Sequence, residues 1–373
     1  MPQPLIVSIS PHLRDRDSTA RIMWTVVAVL APVAAWSGYV FGYRAWMVIL
    51  TAVVFAVGSE AAVCLYRRIP STLNDGSAII TGTLLAFCLP ANVPLYVPAV
   101  GSVIAIVLVK SIFGGLGHNI WNPALMARAI LQLSFPTSLN LAQWPILRDT
   151  HKFFDLGRFA ANINDVGVDA VTGATVTAAV AMPARVADAI SQATPLNTHM
   201  LPPHTGVLAG YDPSHLSMWL GLRPGCLGET CFVLLTLGCL VLIALRIVKW
   251  YMPTLYIATT LLVVTVLPYS KGPLVTSWGD WGYPAYHLLF GGVALGAMFM
   301  ATDMVTSPLT AAGRIIFAVG CGLITGLIRL YGGYPEGVCY AILLMNTATP
   351  LIDRITRPRV FGTHRLPRQG VTS

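Results

Sequence analysis

The sequence predicts an all-α polytopic membrane protein: about ten transmembrane helices in two inverted five-helix repeats, some short or broken, around one large periplasmic loop. Three observations carry that prediction. Hydrophobic residues make up 55% of the 373 and charged residues only 10%, against roughly 25% charged in ordinary soluble domains. The mean hydropathy of +0.69 is more than one soluble core can absorb. Several apolar windows approach the roughly 20 residues that cross about 30 Å of hydrocarbon.

In chain order, the apolar segments of the first half are Ile22–Phe41, Ala45–Tyr66, Gly76–Pro90, Val97–Phe113 and Asn122–Phe135. Those of the second half are Gly228–Val248, Pro253–Pro268, Tyr286–Thr302, Arg314–Tyr331 and Gly337–Ile352. The expected organisation is a first membrane repeat over 1–135, a loop over 136–224, a second repeat over 225–353 and a basic tail over 354–373. The segments at Gly76–Pro90 and Asn122–Phe135 are short and bounded by Gly and Pro. Backbone of that kind is tolerated at membrane depth where it is buried in protein or lines a cavity.

The formal charge is +8, and its placement decides what it means. Arg14, Arg16, Arg21, Arg67, Arg68, Arg246, Lys249, Arg314 and five arginines after Asp353 all flank apolar segments. With both termini in the cytoplasm, nearly all of them fall inside, as the positive-inside rule requires. Arg44, Lys271 and Arg329 are the exceptions near the outer connections. The 136–224 loop then faces the periplasm. No basic stripe interleaves with aromatics, which argues against nucleic acid as a partner. The first apolar segment is long, has no evident small-residue cleavage site and reads as a retained anchor in the inner membrane, in contact with lipid. Nearly all of the seven cysteines lie in apolar runs and none forms a Cys-x-x-Cys pair, so they read as small packed hydrophobes, not cluster ligands.

The two halves echo each other. Pro90 and Pro308 are separated by the same interval as Gly114-Gly115 and Gly332-Gly333, with Phe113 matching Tyr331. An odd number of crossings per half makes such repeats inverted, and ligand sites in that plan lie near the midplane at broken helices. Here those are Asn74-Asp75-Gly76-Ser77, Gly117 to Pro123, and Ala301-Thr302-Asp303.

The sharpest motif lies in the loop: Asp169-Ala170-Val171-Thr172-Gly173-Ala174-Thr175. Gly173 and Ala174 are small and leave the Thr175 hydroxyl open to a modifying enzyme; the bland alternative is a turn with solvated threonines. By residue frequencies a chance match to Asp-x-x-Ser/Thr-Gly-Ala-Thr is on the order of one in a thousand. The motif resembles the flavinylation signal of the Rnf and Nqr respiratory complexes, in which the last threonine is esterified to the phosphate of FMN. The whole chain is similar to the family of the Rnf D subunit and of the B subunit of sodium-translocating NADH:quinone reductase. Asp75-Gly76-Ser77, Leu89-Pro90, Gly114-Gly115, Asn119 and Asn122-Pro123 share in that resemblance.

The resemblance implies covalent FMN on Thr175, with Asp169, Thr172, Gly173 and Ala174 as recognition and packing positions. It further implies a flavin transferase and an ion-translocating ferredoxin:NAD+ oxidoreductase complex. Its other subunits would include a second periplasmic flavin subunit and iron–sulfur membrane subunits, with the NAD and ferredoxin sites outside this chain. A second, non-covalent flavin, riboflavin-like, is implied in the membrane part. Asn119, Asn122 and Asp303 are the candidates to hold it, being polar groups at broken helices. For the asparagines, helix capping is the equal alternative; for Asp303, it is solvation at the cytoplasmic interface. His118 either meets a ring system or caps a helix.

Among charged residues in the apolar segments, Glu60 is the candidate for ion coupling. Lys110 is expected to snorkel to the interface. A channel or carrier of urea-transporter-like fold is the competing reading of the inverted plan, and the flavin signal discriminates against it.

Overall fold

The computed structural model describes residues 18–70, 72–139, 219–221, 225–229, 231–267, 287–289, 291–332 and 337–357. Ten principal helices run through them. In the first half these are α1 Thr19–Phe41, α2 Tyr43–Arg67, α3 Ser77–Phe87, α4 Tyr96–Val103 continued in π form over Ile104–Ser111, and α5 Pro123–Ser134. The second half holds α6 Phe232–Ala244, α7 Tyr251–Val266, α8 Val293–Leu295 continued in π form over Gly296–Met300, α9 Ala311–Tyr331 and α10 Val338–Ile355. The 136–224 loop lies almost wholly outside the described residues, and with it Asp169, Thr172, Gly173, Ala174 and Thr175.

Local chemistry sets the ends of these helices. Ser18 caps α1 by accepting from Arg21 N at 3.2 Å. Gly42, at φ 77°, makes the one-residue joint to α2, a conformation costly for any residue with a Cβ. Asp75 Oδ1 accepts from Ser77 N at 2.8 Å where α3 begins. Asn122 caps α5, with Pro123 at its first turn, where a missing N–H costs nothing.

Three helices, Thr19–Phe41, Tyr43–Arg67 and Ala311–Tyr331, are long and apolar enough to cross a membrane by themselves. The others are shorter: α3 and α5 as their Gly and Pro boundaries predict, whereas α6 and α8 fall short of the expected Gly228–Val248 and Tyr286–Thr302. Large apolar side chains remain exposed on the outside, among them Leu50, Val54 and Phe55 on α2, Leu237 and Leu240 on α6, and Leu323 on α9. A soluble monomer rarely leaves such a belt bare; lipid covers it here.

The core runs between the halves. Within the first half α2 packs on α3 and α4, and α4 with its π extension packs on α5. In the second, α7 packs on α8 and α9, and α9 on α10. Across the seam α1 meets α6 and α5 meets α10, so like positions pair with like. Close crossings rest on glycine: a Cβ on Gly82 of α3 would lie 2.9 Å from Ala52 O and Val53 Cα of α2. Arg329, an exception to the charge pattern, is buried, and its guanidinium donates to the carbonyls of His287 and Gly291. It braces backbone just ahead of α8.

Candidate functional site

Where α1, α3 and α5 begin and α4, α6 and α8 end, the two halves leave a cleft between them, part of it open to the surroundings. Its apolar wall includes Met23, Val26, Ile80, Leu84, Leu242 and Phe299. Asn119, Asn122, Asp303, Lys110 and Ser77 supply its polar groups. All three broken stretches singled out in the sequence therefore contribute to one cavity, although Asp303 is about 180 residues from the asparagines in the chain.

The three predicted residues differ in what their side chains have left to offer. Asn122 is committed: its Oδ1 accepts from Ala124 N at 3.1 Å and Leu125 N at 3.4 Å, while its Nδ2 donates to Met300 O at 3.4 Å. It caps α5 and ties that cap to the end of the π segment of α8. Asn119 is buried, and its Nδ2 donates to Trp121 O at 3.3 Å. Its Oδ1 is buried and accepts nothing among the described residues. A buried acceptor left unmet costs about 1–3 kcal/mol. Asp303 is half-buried; its carboxylate accepts from Val305 N at 3.2 Å and Thr306 Oγ1 at 3.4 Å. His118 is exposed and does not line the cleft.

The structure corrects the expectation for Lys110. It does not snorkel; it is 4% exposed and lies in the π segment of α4. Its Nζ donates to Glu60 Oε1 at 2.8 Å, Glu60 Oε2 at 2.9 Å and Ser77 Oγ at 2.6 Å, which uses all three ammonium protons. Thr72 Oγ1 donates to Glu60 Oε1 at 2.6 Å, and Ser77 Oγ donates to Asp75 Oδ1 at 2.6 Å. Glu60, the candidate for ion coupling, thus sits in a buried ion pair behind the cleft wall. One signal for this was legible: Glu60 lies in the apolar stretches of one half with two cations, Lys110 and Arg128, and a buried carboxylate there seeks one of them. What sequence could not supply is the π turn that brings Lys110 round to α2.

A second, much smaller cavity lies at the other end of the same seam, with Phe87, Cys88, Arg128, Glu229, Gly292 and Met300 on its wall. The Asn122–Met300 hydrogen bond stands between the two cavities, one partner lining each. The seven cysteines are buried and none is in a disulfide, and no cluster of metal-ligating side chains occurs among the described residues.

Short and broken helices, an exposed apolar belt and a cleft between two halves define a multi-pass helical membrane protein. The particular family follows from comparison with known proteins. The chain belongs to the NQR2, RnfD, RnfE family, whose pattern matches residues 6–362. It is 42% identical, over 96% of both chains, to the D subunit of the proton-translocating ferredoxin:NAD(+) oxidoreductase complex of Clostridium ljungdahlii. It is 41% identical over 98% of both to the Na(+)-translocating counterpart of Acetobacterium woodii. The D subunit of the ion-translocating oxidoreductase complex of Stutzerimonas stutzeri is 39% identical over 93% of both.

Proposed function

We propose that this chain is the flavin-bearing membrane subunit of an ion-translocating ferredoxin:NAD+ oxidoreductase complex of the Rnf type. It relays electrons, and the relay is coupled to movement of Na+ or H+. One observation carries the reading: the motif Asp169-Ala170-Val171-Thr172-Gly173-Ala174-Thr175 stands in a chain related along nearly its whole length to subunits of such complexes. The similarity to a proton-translocating and to a sodium-translocating relative is nearly equal, so it supports both ions alike.

Thr175 carries FMN through a phosphoester in this reading, with Asp169, Thr172, Gly173 and Ala174 recognised by the flavin transferase. A covalent link retains the cofactor on the periplasmic side, where no free flavin replaces it. The chain has ten crossings in two inverted repeats, both termini in the cytoplasm, and the 136–224 loop outside. The matching packing of α2 on α4 and α7 on α9, and the pairing of α1 with α6 and α5 with α10, support the repeats.

The cleft holds a second, non-covalent flavin of riboflavin type. Three features fit a fused-ring ligand: apolar walls for its faces, the unmet Asn119 Oδ1 for a ring N–H, and Lys110 and Asp303 at the rim. Bound there, the ring supplies one-electron and two-electron transfer; the protein's part is to hold it, exclude water and set its local field. Asn122 contributes by fixing the start of α5 against α8. The remaining electron carriers belong to partner subunits, including a second periplasmic flavin subunit and iron–sulfur membrane subunits.

The test is fluorescence of the denatured chain in a gel under ultraviolet light. The wild-type band fluoresces and the Thr175→Ala band is dark at equal protein load. Fluorescence retained in the variant would refute Thr175 as the attachment point.

A further inference from the structure

We infer that Lys110 sets the reduction potential of the ligand in the cleft, and that Glu60 is the positioning residue that trims Lys110's charge. This deepens the reading of the cleft as a flavin site and rests on it. Only one end of the buried pair meets the cavity. Lys110 and Ser77 line the cleft and Glu60 does not, so the positive end faces the ligand and the negative end sits behind it on α2. Asp303 is the other charged side chain on the lining, and it is held by Val305 N and Thr306 Oγ1.

Burial gives that arrangement force. Glu60 and Lys110 are each 4% exposed, so water and salt screen them little. An ammonium fixed at the cleft wall favours the ligand's more negative, reduced form and raises its potential; the carboxylate behind it subtracts part of that effect. The three bonds to Nζ leave it no freedom to turn away. Thr72 holds Glu60 and Ser77 holds Lys110, so the field is built in before any ligand arrives. The pair is costly to bury, which makes a purely stabilising role a poor explanation.

Opposite signs separate this from a structural role. In the purified complex, the cleft flavin is first identified as the redox transition that disappears, together with non-covalent flavin, in Asn119→Leu. Spectroelectrochemical titration then compares two variants. Glu60→Gln keeps the ammonium but removes its counter-charge, and the midpoint rises. The double variant Glu60→Gln/Lys110→Met removes both charges with similar shapes, and the midpoint falls below wild type. Each shift is at least tenfold in the reduced-to-oxidised ratio at fixed poise, about 30 mV for a two-electron couple. Lys110→Arg retains the charge and keeps the midpoint within threefold of wild type by the same ratio.

Midpoints that do not move, or that move in the same direction in Glu60→Gln and in the double variant, overturn the inference while leaving the flavin site standing. Should Asn119→Leu retain all non-covalent flavin, the cleft is not the flavin site and the inference falls with that reading. If the double variant does not assemble, the sign of the Glu60→Gln shift alone decides.

Discussion

Asn122 shows how a single side chain can serve two structures at once. Its oxygen caps α5 and its nitrogen reaches Met300 O across the seam. The two functions separate by substitution. Asn122→Ser keeps a capping oxygen and loses the cross-seam bond; Asn122→Ala loses both. The cap is worth about 1 kcal/mol, so Ala should lower thermal stability in detergent more than Ser. Both should fall below wild type in a melting experiment; equal melting temperatures for Ser and Ala would show that the cap contributes nothing. The Glu60–Lys110 pair obeys a harsher rule, because removing one partner of a buried pair costs about 3–5 kcal/mol. Glu60 was legible in the sequence as a charge out of place, whereas Asn119 was legible only as a polar residue at a break. Its unmet oxygen is a property of what surrounds it, not of its identity.

At the scale of the helices, small residues decide how closely elements approach. In a membrane no hydrophobic force drives helices together, and glycine lets backbones meet. Gly322 and Gly326 of α9 face α7: a Cβ on Gly322 would lie 2.6 Å from Tyr256 O, and one on Gly326 2.5 Å from Val263 Cγ1. Tyr256 Oη and Thr325 Oγ1 share a hydrogen bond of 2.8 Å at the same crossing. Gly58 of α2 is a contrast, since a Cβ there would meet nothing within 4 Å. Gly322→Leu should therefore sharply reduce the yield of assembled subunit. Gly58→Ala should be neutral or stabilise by roughly 0.5–1 kcal/mol. Size-exclusion profiles and melting curves of the two variants check this, and a normal profile for Gly322→Leu would contradict the close crossing. The π segments in α4 and α8 belong to this scale as well. Such segments often mark functional sites, and here they deliver Lys110 and the Met300 carbonyl to the cleft region. Hydropathy does not register them, because a shift from i−4 to i−5 hydrogen bonding leaves the composition unchanged.

For the molecule as a whole, charge bias gives the orientation that must be tested. All seven native cysteines are buried, so a cysteine introduced elsewhere reports alone. Ser214→Cys in the loop should react with a membrane-impermeant maleimide added to intact cells made permeable only at the outer membrane. Ser373→Cys in the tail should react only after lysis. The reverse pattern would invert the topology, place Thr175 in the cytoplasm and remove the need for an exported transferase. Buried Arg329 shows why the charge rule tolerates exceptions: that guanidinium satisfies carbonyls inside the protein and is not available to the membrane surface.

Composition and apolar segment length determined that this chain is a helical membrane protein, and placed most of its helices within four residues of their ends, the exception being Tyr286–Thr302, where α8 begins only at Val293. These depend on local transfer free energies and on short motifs, which a linear reading contains. Tertiary structure alone decided that three distant breaks, at residues 74–77, 117–123 and 301–303, close around one cleft. It also turned Lys110 from an interfacial residue into the buried partner of Glu60. Such outcomes depend on how two halves pack against each other, through contacts between residues far apart in the chain, and no local property of the sequence encodes them.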